Sequence, residues 1–156
     1  MVLEDPRARA IVLHEGRALL SGPHMLAVVP AASIAFSDAL YLGKSLTDAP
    51  DLPLGAPVLA FLVEDAAVID EGGAEWCDLR RLGHRLSERD AGLFTQPLAL
   101  ANWHAAYGFS PRSGVATVPA ASGWTRVDPD GKEVFPRTDA AVIVGITDTD
   151  DRLLLG

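Results

Sequence analysis

The chain has 156 residues, 49% of them hydrophobic, a formal net charge of −8 and a pI of about 4.8. That is enough apolar material for one core or two small ones. The acidic balance argues against a general nucleic-acid or membrane-surface binder, which would carry a basic patch. A single cysteine, Cys77, leaves no partner for an internal disulfide and fits a reducing, cytoplasmic setting. The acidic N-terminus is unlike a signal peptide, and no apolar run approaches the ~18 residues of a membrane span.

Residues 10–13 and 18–20 are apolar runs on either side of Glu15-Gly16, which predicts a β-hairpin. Pro23 and Pro30 bracket another strand candidate at 25–29, whereas 31–43 mixes small and apolar residues and leaves helix and strand both open. Prolines and a glycine over 48–57 mark a loop. Residues 58–63 predict a buried strand, with 66–69 continuing a hairpin that ends at Glu71-Gly72-Gly73. Arg80, Arg81, Arg85 and Arg89 are the one basic cluster, and their near-helical spacing reads as a solvated face. Ser87-Glu88-Arg89-Asp90 has the form of a capping box and predicts a short helix over 88–94. Thr95 is placed to cap a second helix, with Pro97 in its first turn. On that helix Leu98, Ala101 and Ala105 share one face, Leu100, Trp103 and Tyr107 lie beside it, and Gly108 is the stop. The expected fold class is therefore α+β: an N-terminal domain over 1–107 of short antiparallel strands and two helices.

Two turns ending in glycine follow, Phe109-Ser-Pro-Arg-Ser-Gly114 and Val127-Asp-Pro-Asp-Gly131. Ser110 and Ser113, then Val127 and Asp130, occupy the spacing of a zinc ribbon, in which each turn gives two thiolates to one tetrahedral metal. The thiolates are missing, so the reading is a degenerate, zinc-free ribbon over 108–137. The alternative is a Pro/Gly-rich surface loop. A structural zinc supplies on the order of 10 kcal/mol of apparent folding free energy. An apolar cluster of Phe109, Trp124, Val127, Val134 and Phe135 is expected to offset its loss, together with hydrogen bonds from Ser110 or Ser113 to Asp130 where metal bonds would be. Residues 140–147 predict a strand, Asp148-Thr149-Asp150-Asp151 a turn and 152–155 a return strand, the first hairpin of a further domain over 138–156. A lone hairpin is marginal in water, so more chain is expected past Gly156. His104 reads as a packed or solvent-facing helical residue, and Cys77 as an inert thiol. No nucleophile elbow, phosphate loop or dinucleotide glycine pattern occurs.

Leu98-Ala-Leu-Ala101, Trp103-His104, Phe109 with Gly114, Gly123-Trp124, Phe135-Pro-Arg-Thr-Asp139 and Ala141-Val-Ile143 recur in an order and spacing that resembles the NADH pyrophosphatase family of Nudix hydrolases. The likeness is close over the last third of the chain and general before it. Two departures stand out: the four ribbon cysteines are replaced by Ser110, Ser113, Val127 and Asp130, and the box ending Arg-Glu-x-x-Glu-Glu is absent. The resemblance implies a homodimeric enzyme that uses Mg²⁺ or Mn²⁺ to split NADH or NAD into NMN(H) and AMP, and that also removes NAD caps from RNA. No DNA or membrane partner is expected. With the box absent, no catalytic residue is assigned here and this chain alone is expected to be inactive. Phe135 matches an aromatic that stands beside the bound base, so it either stacks on a nicotinamide or adenine ring or packs the ribbon. Arg137 is expected to pair with Asp139. The alternative function is a non-catalytic dimerisation or interaction domain.

Overall fold

A computed structural model describes residues 4–34, 39–65, 69, 75–137 and 139–154. Its centre is strand β1 (Arg9–His14), whose four middle residues are buried. Ala10 and Val12 point to one face of the sheet, Ile11 and Leu13 to the other. A strand covered on both faces reads as a continuous apolar run rather than an alternation, which is what the sequence has here.

The turn Glu15-Gly16 leads into β2 (Arg17–Gly22), with Leu13 opposite Ala18 and His14 opposite Arg17. Both turn residues have positive φ, +48° and +75°, as a two-residue hairpin turn requires. The strand expected at 25–29 is two short pieces, β3 (Met25–Leu26) on β2 and β4 (Val29–Pro30) on β1. The undecided stretch resolves into a 3-10 turn (Ala31–Ser33) and strand β5 (Ala39–Lys44). Strand β6 (Pro57–Leu62) runs parallel to β1, from Arg9 opposite Val58 to Leu13 opposite Leu62, and antiparallel to β5. Strand β7 (Glu75–Asp78) closes the other flank on β2. The α+β class holds, but the sheet is mixed, because the β1–β6 pairing is parallel. Of the hairpin continuation expected at 66–69 only Ile69 is described, in a turn, and Glu71-Gly72-Gly73 lies outside the described residues.

Asp78 caps a short helix, α1 (Leu79–Leu82), accepting the Arg81 N–H at 2.9 Å. Helix α2 (Glu88–Ala106) is continuous where two helices were expected, with Pro97 inside it. Asp90, Phe94, Pro97, Leu100 and Trp103 form one buried stripe that runs through the proline without a change of spacing. An interior proline costs about 3 kcal/mol. Burying Phe94, Leu100 and Trp103 at about 1.5–3 kcal/mol each outweighs that. Ser87 caps α2 as expected, accepting the Asp90 N–H at 3.1 Å. The Asp90 carboxylate, only 2% exposed, turns inward: it accepts the Leu26 N–H at 3.3 Å and the Arg89 Nε–H at 2.8 Å. Arg89 then grips Asp51 through both carboxylate oxygens at 2.9 Å. Arg80, Arg81 and Arg85 are solvated as expected, while Arg89 is this half-buried clamp.

Beyond α2 a second, three-stranded antiparallel sheet forms from β8 (Val118–Ala120), β9 (Thr125–Val127) and β10 (Glu133–Val134), with β9 central. The apolar cluster expected to hold it is absent: Phe109 is 65% exposed, Phe135 59% and Trp124 39%. Polar contacts to the large domain take its place. The Trp124 indole N–H donates to the Tyr41 carbonyl on β5 at 2.6 Å. His104 Nε2 meets the Gly123 carbonyl at 2.8 Å, and Arg126 Nη1 meets His104 Nδ1 at 3.0 Å. His104, its ring 4.7 Å from that of Trp103, is a packed helical side chain that also ties α2 to the small sheet. Residues 139–146 form no ladder, and the hairpin expected around Asp148 is closed by a single bridge, Thr147 to Leu153. With no neighbouring strand among the described residues to take its backbone groups, the apolar stretch is not a strand.

Two outcomes follow from these contacts. Gly123 has φ +91°, and a Cβ there would overlap Leu40 Cδ2. Gly123→Ala is expected to lower stability by about 1–3 kcal/mol in a denaturant melt. The hydrogen bonds from Arg89 hold the Asp51 carboxyl below its ordinary range. A folded carboxyl that titrates below its unfolded value, near 3.9, contributes fully above about pH 4 and loses its contribution as pH falls through the folded value. Asp51→Asn is therefore expected to cost about 1 kcal/mol at pH 7, solvent screening included, and the gap from the unsubstituted protein should narrow in melts as pH is lowered below about 4.

Candidate functional site

The two glycine-ended turns face one another across a cleft of about 360 Å³ that ends at Phe135. In the first turn the Ser110 carbonyl accepts the Gly114 N–H at 2.8 Å, and Ser110 Oγ lies 3.4 Å from the N–H groups of Arg112 and Ser113. Gly114 takes φ +71° to close the turn. In the second, Asp128 Oδ1 accepts the N–H groups of Asp130 at 3.0 Å and Lys132 at 2.9 Å, while its carbonyl accepts the Gly131 N–H. An aspartate that captures the N–H two residues on is the Asx-turn arrangement.

The cleft brings Ser110, Ser113 and Phe135 together with Arg112, Asp128 and Lys132. It leaves out the other two expected positions. Val127 is held in the β9 ladder opposite Val118 and Glu133. Asp130 points to solvent and meets the Lys132 ammonium at 3.4 Å. Asp128, only 6% exposed, is the residue that sequence reasoning missed. The signal was present as Asp-Pro-Asp-Gly-Lys, and it recurs as Asp148-Thr-Asp-Asp-Arg152. There Asp148 Oδ1 accepts the N–H groups of Asp150 at 2.9 Å and Arg152 at 3.0 Å. The Arg152 backbone N–H, then its guanidinium, hold the Asp148 carboxyl below the usual range. Arg137 pairs with Asp139 at 3.0 Å as expected. Cys77 is half-buried, its sulfur 3.6 Å from the Asp78 carbonyl.

Zinc does not fit the four ribbon positions. Val127 offers no ligand atom, Ser110 Oγ faces two backbone N–H groups, and Asp130 faces away from the cleft. Among the described residues, no three of His, Cys, Asp and Glu converge as a metal site.

A family model described as the NADH pyrophosphatase-like rudimentary NUDIX domain matches residues 7–103, from just before β1 to Trp103 of α2. The chain belongs to that family. NAD-capped RNA hydrolases named NudC, from Mycobacterium tuberculosis and Mycobacterium bovis, are 36% identical over 153 residues, or 97% of this chain. The chain spans 45% of the length of each. The likeness therefore runs on past the residues matched to the rudimentary NUDIX domain, through the small sheet and the cleft.

Asp128 and Asp130 should separate cleanly in this arrangement. Asp128→Ala strands two N–H groups and is expected to cost about 1–2 kcal/mol. Asp130→Ala removes one long surface pair and is expected to stay within about 0.5 kcal/mol of the unsubstituted protein in the same urea melts.

Proposed function

We propose that this chain is the N-terminal part of a Nudix NAD(H) diphosphatase that hydrolyses NADH or NAD to NMN(H) and AMP and removes NAD caps from RNA. The observation that carries this reading is the similarity to NAD-capped RNA hydrolases over 97% of the chain. Hydrolysing a pyrophosphate calls for carboxylates that hold Mg²⁺ or Mn²⁺ against the phosphates. The residues of this chain do not fit that task. The box Arg-Glu-x-x-Glu-Glu is absent from the sequence, and among the described residues no carboxylate cluster forms. The contribution we assign to this chain is binding. The open ring of Phe135 stacks on a base, and Arg112 and Lys132, on the walls of the same cleft, draw in phosphate charge. The acting unit is a homodimer in the cytoplasm. The division we favour is a domain over 1–107, a zinc-free ribbon over 108–137 and the beginning of the Nudix domain over 138–156.

The second reading, an interaction module, is favoured by one feature. Val142, Ile143, Val144, Ile146, Leu153 and Leu154 are all exposed, a concentration of apolar surface that suits a protein neighbour. Purified 156-residue chain is expected to release no AMP from NADH with either metal, and to show a dimer mass by light scattering. Metal-dependent AMP release would place the catalytic groups within these residues and overturn the division of labour. A monomer at high concentration would move the dimer contacts elsewhere. In a protein carrying this chain together with Nudix carboxylates, Phe135→Ala is expected to lower kcat/KM for NADH about tenfold. An unchanged value would mean that Phe135 serves the small sheet alone.

A further inference from the structure

A three-stranded sheet of this size buries too little apolar surface to hold itself, and small elements of this kind are ordinarily stapled by a metal or a disulfide. Here zinc does not fit, the three aromatics of the expected apolar cluster are exposed, and the chain has one cysteine. Something else must fasten β8–β10 together and to the large domain. The buried group at the right place is Arg126, in the middle of the central strand β9 and only 8% exposed.

We propose that the Arg126 guanidinium is the cross-link of this small sheet, in the role a metal plays in a ribbon, and that the docked sheet is independent of zinc. Its Nε donates to Thr117 Oγ1 at 2.8 Å, its Nη2 to the Thr117 carbonyl at 2.7 Å and its Nη1 to His104 Nδ1 at 3.0 Å. One rigid fork therefore joins three segments: β9, the residue that enters β8, and the last turn of α2. Thr117 carries the connection onward. Its N–H donates to the Gly108 carbonyl at 3.0 Å, and its hydroxyl lies 3.2 Å from the carbonyls of Tyr107 and Gly108. Because arginine only donates, His104 Nδ1 must be bare, and the proton sits on Nε2, which donates to the Gly123 carbonyl.

The three acceptors of the guanidinium are neutral, so its charge is compensated otherwise. It lies at the C-terminal end of α2, a helix of 19 residues, where the helix dipole presents partial negative charge. A metal would have pulled on four thiolates. Here the two turns are instead organised separately by Ser110 Oγ and Asp128 Oδ1, and the fork supplies the link between strands and helix.

The test uses the full chain. Elemental analysis is expected to find no stoichiometric zinc, and the Tm should not change with EDTA; one zinc per chain that survives dialysis would overturn the proposal. Arg126→Met is expected to lower the Tm by about 5–10 °C. It should also speed hydrogen exchange at the amides of Thr117, Trp124, Asp128 and Gly131 by about tenfold or more, with the amides of β1 and β6 unchanged. Unchanged exchange in the small sheet would overturn it. If Arg126→Met does not fold, Thr117→Val, which removes one acceptor and keeps the carbonyl, should move the same amides in the same direction. Arg126→Lys should not restore protection, since an ammonium cannot reach three acceptors as a fork. Full protection with lysine would show that charge alone suffices and would overturn the cross-link.

Discussion

Helix α2 is fastened at both ends by buried polar contacts, and the placement of everything after it depends on that. At its start, the Asp90 carboxylate takes the Leu26 N–H from the sheet and holds Arg89 against Asp51 in the loop between β5 and β6. At its end, His104 receives Arg126 and reaches Gly123. Between the two, the stripe from Phe94 to Trp103 lies on the sheet. Hydrophobic burial is non-directional and would tolerate a helix that slid along its axis. The directional bonds at the two ends fix where it stops, and with it the position of the cleft.

The strands were legible where burial is one-dimensional. Residues 10–13 and 58–63 are apolar runs bounded by turn signals, and both are strands, give or take a residue. Their parallel pairing was not legible, because no local pattern reports which of two distant runs lies beside which. Pro97 misled the reading of the helix. Local propensity argued for a break, and the buried stripe on either side of it overrode that preference. The Asp90 side chain misled it in the other direction: a capping box is a local motif, whereas Leu26, its actual partner, is 64 positions away.

At the candidate site, spacing carried Ser110, Ser113 and Phe135 into one cleft but not Val127 or Asp130. The reason is chemical. Four cysteines at such positions would all be drawn inward by one ion. Without it, each side chain follows its own preference: valine joins the ladder, Asp130 goes to water, and Asp128 takes the backbone N–H groups. The expectation of an apolar replacement for the metal failed for a related reason. Aromatic groups spread over exposed turns have no common interior to fill, whereas one long guanidinium can bridge strand and helix without one.

The pairing of β1 with β6 also has a consequence in time. The β1–β2 hairpin involves near neighbours, but the other flank of β1 meets residues 58–62, and the Tyr41 carbonyl waits for a tryptophan 83 positions later. A chain synthesised from its N-terminus can close the hairpin at once. It then carries a bare edge on β1 until β6 emerges, and β5 lacks its Trp124 contact until the small sheet is made. Such long-range closures are slow, and unpaired edges are where nascent chains stick to one another. The segment that comes to lie against β5 last is fastened by hydrogen bonds as well as by the close approach of Gly123 to Leu40, so its docking depends on the ordering of polar groups and not on apolar collapse alone.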